Sequence, residues 1–184
     1  EFCRPAILNI PTNGLLYQQI PDRVREIARR CPESALIVNL SLDGVGARHD
    51  EIRNVPGNFE RTMACYRGLR ALADSGDAPN LTLGLHTVIS VFNLGELEEI
   101  YALAQELAPD SYVTEIAEER VELDTVGAGI TPSAEDYARV IDWLRDRLRE
   151  QSFGGISRVT QALRLVYYDL VKRIMRERRQ VIPC

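Results

Sequence analysis

The sequence is poor in the residues from which most metal and nucleophile chemistry is built. It holds two histidines, His49 and His86, and four cysteines, Cys3, Cys31, Cys65 and Cys184, too far apart for metal-ligand spacing. A disulfide framework does not suit a chain with this much apolar content, so a reducing, cytoplasmic setting is expected. No G-x-S-x-G elbow, P-loop or G-x-G-x-x-G occurs, and Gly44-Val45-Gly46 is too short to count. With no ribose-binding acid after a glycine fingerprint, nicotinamide chemistry is disfavoured. No apolar run approaches the roughly 20 residues needed to span a bilayer, and none reads as a signal peptide, so no membrane association is expected. Lysine is almost missing: of 22 basic residues only Lys172 is one, a bias that fits a GC-rich genome as well as any function. The net charge of -5 argues against a dedicated nucleic-acid binder.

What is present is an ordinary globular composition, 45% hydrophobic and 27% charged over 184 residues, enough for one domain with a proper core. Apolar runs at Ala6–Pro11, Ala35–Leu42, Leu81–Val91 and Ser111–Ala117 read as strands. Helical spacing falls between and after them, at Pro21–Arg30, Gly57–Ala73 (with Asn58 as its cap), Leu94–Leu107, Ser133–Gln151 and Ile156–Arg179. Ser133 to Asp136 resembles a capping box, Gly154-Gly155 breaks the last two helices, and Val121–Pro132 is a loop. On the last helix Leu163, Val166, Tyr167, Tyr168 and Leu170 form the expected packing face, and the basic run Lys172–Arg179 is a solvated one. Strands alternating with helices predict an α/β chain of parallel βαβ units, too few for a closed eight-stranded barrel.

In a parallel sheet, ligands gather at the carboxyl ends of the strands. Those ends carry Thr12-Asn13, Ser41 with Asp43, Ser90 with Asn93, and Glu115 with Glu118. Asn13-Gly14 and Asp43-Gly44 are also everyday turn dipeptides. Ser41 and Asp43 lie two apart and face the same side of a regular strand. His49, Asp50 and Arg53 follow in a loop or short helix, where Arg53 either binds a carboxylate bidentately or pairs with Asp50 or Glu51. Arg61 on the next helix is its rival for a carboxylate. His86, alone within a strand, reads as a satisfied core residue.

Ser41-Leu42-Asp43-Gly44, then His49-Asp50-x-Ile52-Arg53 and Gly57-Asn58-Phe59, with Thr12-Asn13-Gly14 upstream and Thr87-Val88-Ile89-Ser90-x-x-Asn93 downstream, resembles the radical S-adenosylmethionine (SAM) superfamily. The likeness is to the branch with a cysteine-rich, SPASM-type C-terminal extension. It covers nearly the whole chain, is strongest over Leu40–Thr62 and thins after Gly129.

The resemblance implies a six-stranded partial TIM barrel of which this chain supplies the last four strands. Residues 1–151 would be that barrel portion, and 152–184 a C-terminal helix and the start of a linker or extension. The expected chemistry is reductive cleavage of SAM by a [4Fe-4S] cluster, giving a 5′-deoxyadenosyl radical that abstracts hydrogen from a small-molecule or peptide substrate. The electron donor would be a flavodoxin or ferredoxin. By the same resemblance Ser41 hydrogen-bonds SAM, Asp43 shapes the turn, Arg53 takes the SAM carboxylate and Asn13 lies near the cofactor. Val88 (with Ile89) packs on adenine, Ser90 or Asn93 hydrogen-bonds nearby, and Ile116 offers backbone to the adenine edge. Cys184 is a candidate auxiliary-cluster ligand. The chain lacks C-x-x-x-C-x-x-C, so it reads as a piece of an enzyme whose cluster ligands lie outside it, and inactive alone. Two other readings stay open, a clusterless SAM- or nucleotide-binding α/β module, and a metal-dependent barrel hydrolase or isomerase using His49, His86 and Glu115.

Overall fold

The structure, a computed structural model, describes residues 4–150, 156–178 and 181. Gly154-Gly155, Cys3 and Ile182-Pro183-Cys184 lie outside the described residues. The chain forms two compact units, Glu1–Ala117 and Glu118–Cys184.

The first unit is an α/β parallel repeat. Strands β1 (Ile7–Thr12), β2 (Ala35–Ser41), β3 (Leu81–Ile89) and β4 (Ser111–Ile116) form one sheet in the order β1-β2-β3-β4, every pair parallel. Parallel neighbours need a crossover, supplied by helix α1 (Ile20–Arg30), by α2 (Ala47–Arg53) with α3 (Asn58–Asp74), and by α4 (Leu97–Leu107). Each expected strand is found, ending within two residues of where the apolar run stops. The run at Leu94 begins as a single 3-10 turn, Leu94–Glu96, before α4.

Strand side chains alternate between faces, and burial divides them cleanly. Leu36, Val38, Leu40, Leu83, Leu85 and Ile89 are sealed on one face. The helices contribute Ala28, Met63, Leu69, Ile100 and Ala104 to the same core. Burying a leucine or isoleucine is worth about 1.5–3 kcal/mol each, and this layer dominates the unit's stability. The other face, called the open face below, carries Asn39, Ser41, His86, Val88 and Glu115, none fully buried. His86 is therefore not the satisfied core residue expected from its place within a strand. It belongs to the open parity, and its imidazole makes no hydrogen bond among the described residues.

Asn58 does not cap α3 either. Gly57 holds the cap position in the left-handed region (φ 72°), and Asn58 turns inward. The exposed amide ends of α3 are met instead by Asp50, whose carboxylate accepts from Gly57 N (2.6 Å) and Phe59 N (2.7 Å).

The second unit holds α5 (Ala134–Glu150) and α6 (Ile156–Glu177), which pack on each other. Ser133 caps α5, its hydroxyl accepting from Asp136 N (3.1 Å) and donating to the Asp136 carboxylate (2.7 Å). The contact face of α6 is narrower than its apolar spacing suggests. Tyr168 and Val171 are buried, whereas Leu163 and Val166 are about two-thirds exposed, at 65% and 64%. The basic end is not simply solvated: Lys172 pairs with Asp142 of α5 (2.6 Å) and Arg173 with Glu177 (2.7 Å), and one turn before it Asp169 is met by Arg145 of α5 (2.6 Å). No helix among the described residues is long and apolar enough to cross a membrane.

Candidate functional site at the carboxyl ends of the strands

The four motifs singled out in the sequence meet above one edge of the sheet. Thr12-Asn13-Gly14 ends β1, and the Asn13 carbonyl accepts hydrogen bonds from Asn58 Nδ2 (2.9 Å) and Thr62 Oγ1 (3.1 Å). The first turn of α3 is thereby tied to the end of β1, bringing T-N-G against G-N-F. The Asn13 side chain accepts from Leu15 N (3.2 Å), a turn of the kind its residue type favours.

Asp43 is the centre of the arrangement. The residue is 5% exposed. One carboxylate oxygen accepts from the Val88 backbone N (2.8 Å), which bridges the ends of β2 and β3. The other meets Arg53 Nη2 at 2.5 Å. Arg53 therefore pairs neither with Asp50 nor with Glu51 but with the strand end ten residues before it. Its Nε is buried without a hydrogen-bond partner among the described residues, which leaves part of its donor fork unspent there.

Around this pair the backbone is clasped by side chains. Asn93, fully buried, donates to the carbonyls of Asp43 (3.1 Å) and Val88 (2.9 Å) and accepts from Ser90 N (2.8 Å). Its amide is committed to the fold. The Ser90 hydroxyl accepts from Phe92 N (3.2 Å). Thr87 donates to the Leu42 carbonyl (2.5 Å) and accepts from the Tyr112 hydroxyl (3.0 Å). Arg48, on α2, reaches the turn after β3 through Glu96 (2.8 Å) and the Phe92 carbonyl (2.5 Å). The clasping roles of Asn93 and Arg48 had no sequence signal beyond an asparagine three residues after a strand-end serine.

Of the residues expected at a cofactor, the structure brings Ser41, Asp43, Arg53, Val88 and Ser90 together at the ends of β2 and β3. Asn13 joins them through α3. Ile116 ends β4, in register with Ile89, and the following Ala117 N donates to the Ile89 carbonyl (2.8 Å). Val88 and Ile89 point to opposite faces: Ile89 is sealed in the helix-side core, and Val88 alone faces the open side. The Ser41 hydroxyl makes no hydrogen bond among the described residues. Arg61 is exposed and has no ion pair among the described residues, while Arg53 is held.

His49, fully buried beneath this edge, accepts at Nδ1 from Asp43 N (3.2 Å) and packs edge-on against Phe59. An accepting Nδ1 fixes the proton on Nε2, which is buried and makes no geometric hydrogen bond among the described residues. Burial pushes its pKa below the ordinary value of 6.5, with the Arg53 charge adding to the shift and Asp43 and Asp50 opposing it. The sign follows from linkage. Above pH about 6.5 both folded and unfolded states are neutral at this site, and below it only the unfolded chain gains the proton. Denaturant midpoints should therefore fall between pH 7.5 and 5.5 and level off once the folded imidazole also titrates. The slope should flatten in His49→Asn, whose amide oxygen can accept in place of Nδ1; an equal slope in the variant would remove His49 as its source. Asp50 titrates in a separate, more acidic window. The amides of Phe59 and Gly57 hold its carboxyl below the usual range, so its contribution is complete above pH about 4 and lost only as pH falls further.

The metal-hydrolase trio does not assemble. His86 Nε2 meets Glu115 at 3.4 Å, but Nδ1 of His49 is taken by Asp43 N, and the described residues contain no group of three metal-ligating side chains.

No family model matches the chain. It is 30% identical over 148 residues to the AdoMet-dependent heme synthase of Methanosarcina barkeri (strain Fusaro / DSM 804), covering 77% of this chain and 36% of that protein. To the AdoMet-dependent heme synthase of Oleidesulfovibrio alaskensis (strain ATCC BAA-1058 / DSM 17464 / G20) it is 28% identical over 138 residues, 74% of this chain and 32% of the relative. The chain thus spans about a third of the length of the curated relatives it matches.

Proposed function

We propose that this chain is part of a radical SAM enzyme and that the carboxyl edge of β2 and β3 is its SAM site. Similarity to two AdoMet-dependent proteins over about three-quarters of the chain supports the reading. The observation that carries it is the Asp43–Arg53 pair, which fixes a guanidinium over the strand ends with donors left over. The residues present fit SAM. Arg53 supplies a fork for its carboxylate, Ser41 an unspent hydroxyl, and Val88 an apolar surface on the open side. Asn13, Ser90 and Ile116 complete the rim in this assignment. SAM bound here supplies the hydrogen-abstracting chemistry of such an enzyme.

The described residues do not fit a [4Fe-4S] cluster. Cys31 and Cys65 are single free thiols, and burial pushes the Cys65 thiol up to about 11, away from the thiolate a cluster needs. No step through a cluster is derived from this chain. In the proposed whole enzyme, residues 1–151 belong to the partial barrel, the SPASM-type extension follows, and a flavodoxin or ferredoxin delivers electrons in the cytoplasm to act on a small molecule or peptide.

Calorimetric titration of the intact protein with SAM tests the assignment. Arg53→Lys keeps a cation for Asp43 but loses the fork, and Ser41→Ala loses the hydroxyl. Each should weaken SAM by about tenfold, equivalent to about 1.4 kcal/mol. Arg61→Ala should leave affinity unchanged. Unchanged affinity in both Arg53→Lys and Ser41→Ala removes this edge as the SAM site, and a loss confined to Arg61→Ala moves the carboxylate contact to α3.

A further inference from the structure

The open face of the sheet is polar in one particular way. Position by position, its side chains come from residues 7, 9 and 11 of β1, 35 to 41 by twos of β2, 82 to 88 by twos of β3, and 111, 113 and 115 of β4. None is arginine or lysine, in a chain with 22 basic residues. What the face offers instead is acceptors that the fold has not used. Asn39 donates to Asn9 (2.9 Å), but its own Oδ1 is buried with no partner among the described residues. That amide lies across Gly84, where an added Cβ would come within 1.8 Å of the oxygen. One pleat further along, Ser41 stands in register with His86, and the His86 Nε2 is buried with no hydrogen-bond partner among the described residues.

Glu115, on the neighbouring strand, brings a carboxylate oxygen to 3.4 Å from that nitrogen, yet no ring N–H is directed at it. A nitrogen and a carboxylate oxygen so close, with no proton aimed between them, suit a donor arriving from outside, which an N–H group can bridge. Leaving the buried His86 nitrogen unmet costs about 1–3 kcal/mol, a cost a bound donor removes, while the half-exposed Glu115 carboxylate stays open to an incoming ligand. Glu115 is the only charged side chain on the face, so an anionic group would be repelled from it.

We infer that the open face between β2 and β4 seats a ligand amine or comparable N–H donor, with His86 Nε2 and Glu115 as its acceptors and the Ser41 hydroxyl beside them. Taking that ligand to be the substrate rests on the radical SAM reading above; the recognition site itself does not.

The chain has only two histidines, so histidine-selective NMR of the full chain reads the site directly, with sealed His49 as the internal control. Titration with n-butylammonium should shift the His86 ring resonances saturably and leave His49 in place. Butanoate and tetramethylammonium should act about tenfold more weakly or not at all, the first for its charge and the second for want of an N–H. Glu115→Gln should remove the response. An equal response to tetramethylammonium would reduce the site to an acidic patch, and an equal response to butanoate, or none to any probe, would overturn the inference outright. A parallel SAM titration separates the two readings: amine binding without SAM binding leaves this site standing while the SAM assignment falls, and the reverse outcome does the opposite.

Discussion

Replacing Gly44 by alanine will push α2 off the end of β2 and cost the protein stability and, under the proposed assignment, SAM affinity. The φ of Gly44 is unremarkable for any residue; the constraint is space. A Cβ there would stand 2.8 Å from the His49 nitrogen, 3.0 Å from its Cα and 3.1 Å from the Arg48 carbonyl carbon. All three are backbone atoms of α2, so no side-chain rotation relieves the clash. The helix must move, and it carries Arg53 to Asp43 and His49 to the Asp43 amide. Overpacking of this kind costs about 1–3 kcal/mol, and if Arg53 holds SAM as proposed, its displacement should weaken SAM on the order of tenfold. Chemical denaturation and calorimetry report the two effects. Gly95→Ala, where an added Cβ meets nothing, is the matched control and should change neither. If Gly44→Ala behaves like Gly95→Ala, close approach of α2 to the strand is not what the glycine provides.

This glycine also marks how far the sequence can be read. Periodicity and turn residues are local, so the four strands, their parallel order and most of the helix-side core were visible in it: Leu36, Val38 and Leu40 alternate, and Leu97, Ile100 and Ala104 keep helical spacing. Partners set by three-dimensional approach were not. Asp50 and Glu51 lie nearest Arg53 in sequence, but Asp50 is taken by the amides of Gly57 and Phe59, and Glu51 pairs with Arg48 (2.9 Å). His86 departs from the expected core position because a histidine inside a strand says nothing of which face it occupies until neighbours fix the parity. On α6 the apolar spacing is broader than the face it presents to α5, since Arg145–Asp169 and Asp142–Lys172 occupy part of that contact. The strand-end polar residues were legible as a group because chemistry collects there. Their division into clasps such as Asn93 and unspent groups such as Ser41 required the hydrogen bonds themselves.

The division predicts the second large effect, at Asp43. Asn is nearly isosteric and keeps an acceptor for the Val88 amide, so Asp43→Asn should preserve the link between β2 and β3. What it loses is the charge facing Arg53, and its new amide N–H₂ turns donor against donor. Removing one partner of a buried pair costs about 3–5 kcal/mol. Arg53 keeps 28% of its side-chain exposure and regains some hydration, so about 2–3 kcal/mol is the expected loss. The double variant Asp43→Asn/Arg53→Met separates the roles of the pair. Methionine has no charge to strand, so denaturation should show much of the lost stability returning, a positive coupling in the double-mutant cycle. SAM affinity should not return, because the fork that would hold its carboxylate is gone. Recovery of both together would mean the arginine serves only the fold, and recovery of neither would mean Asp43 acts chiefly through its clasp on Val88.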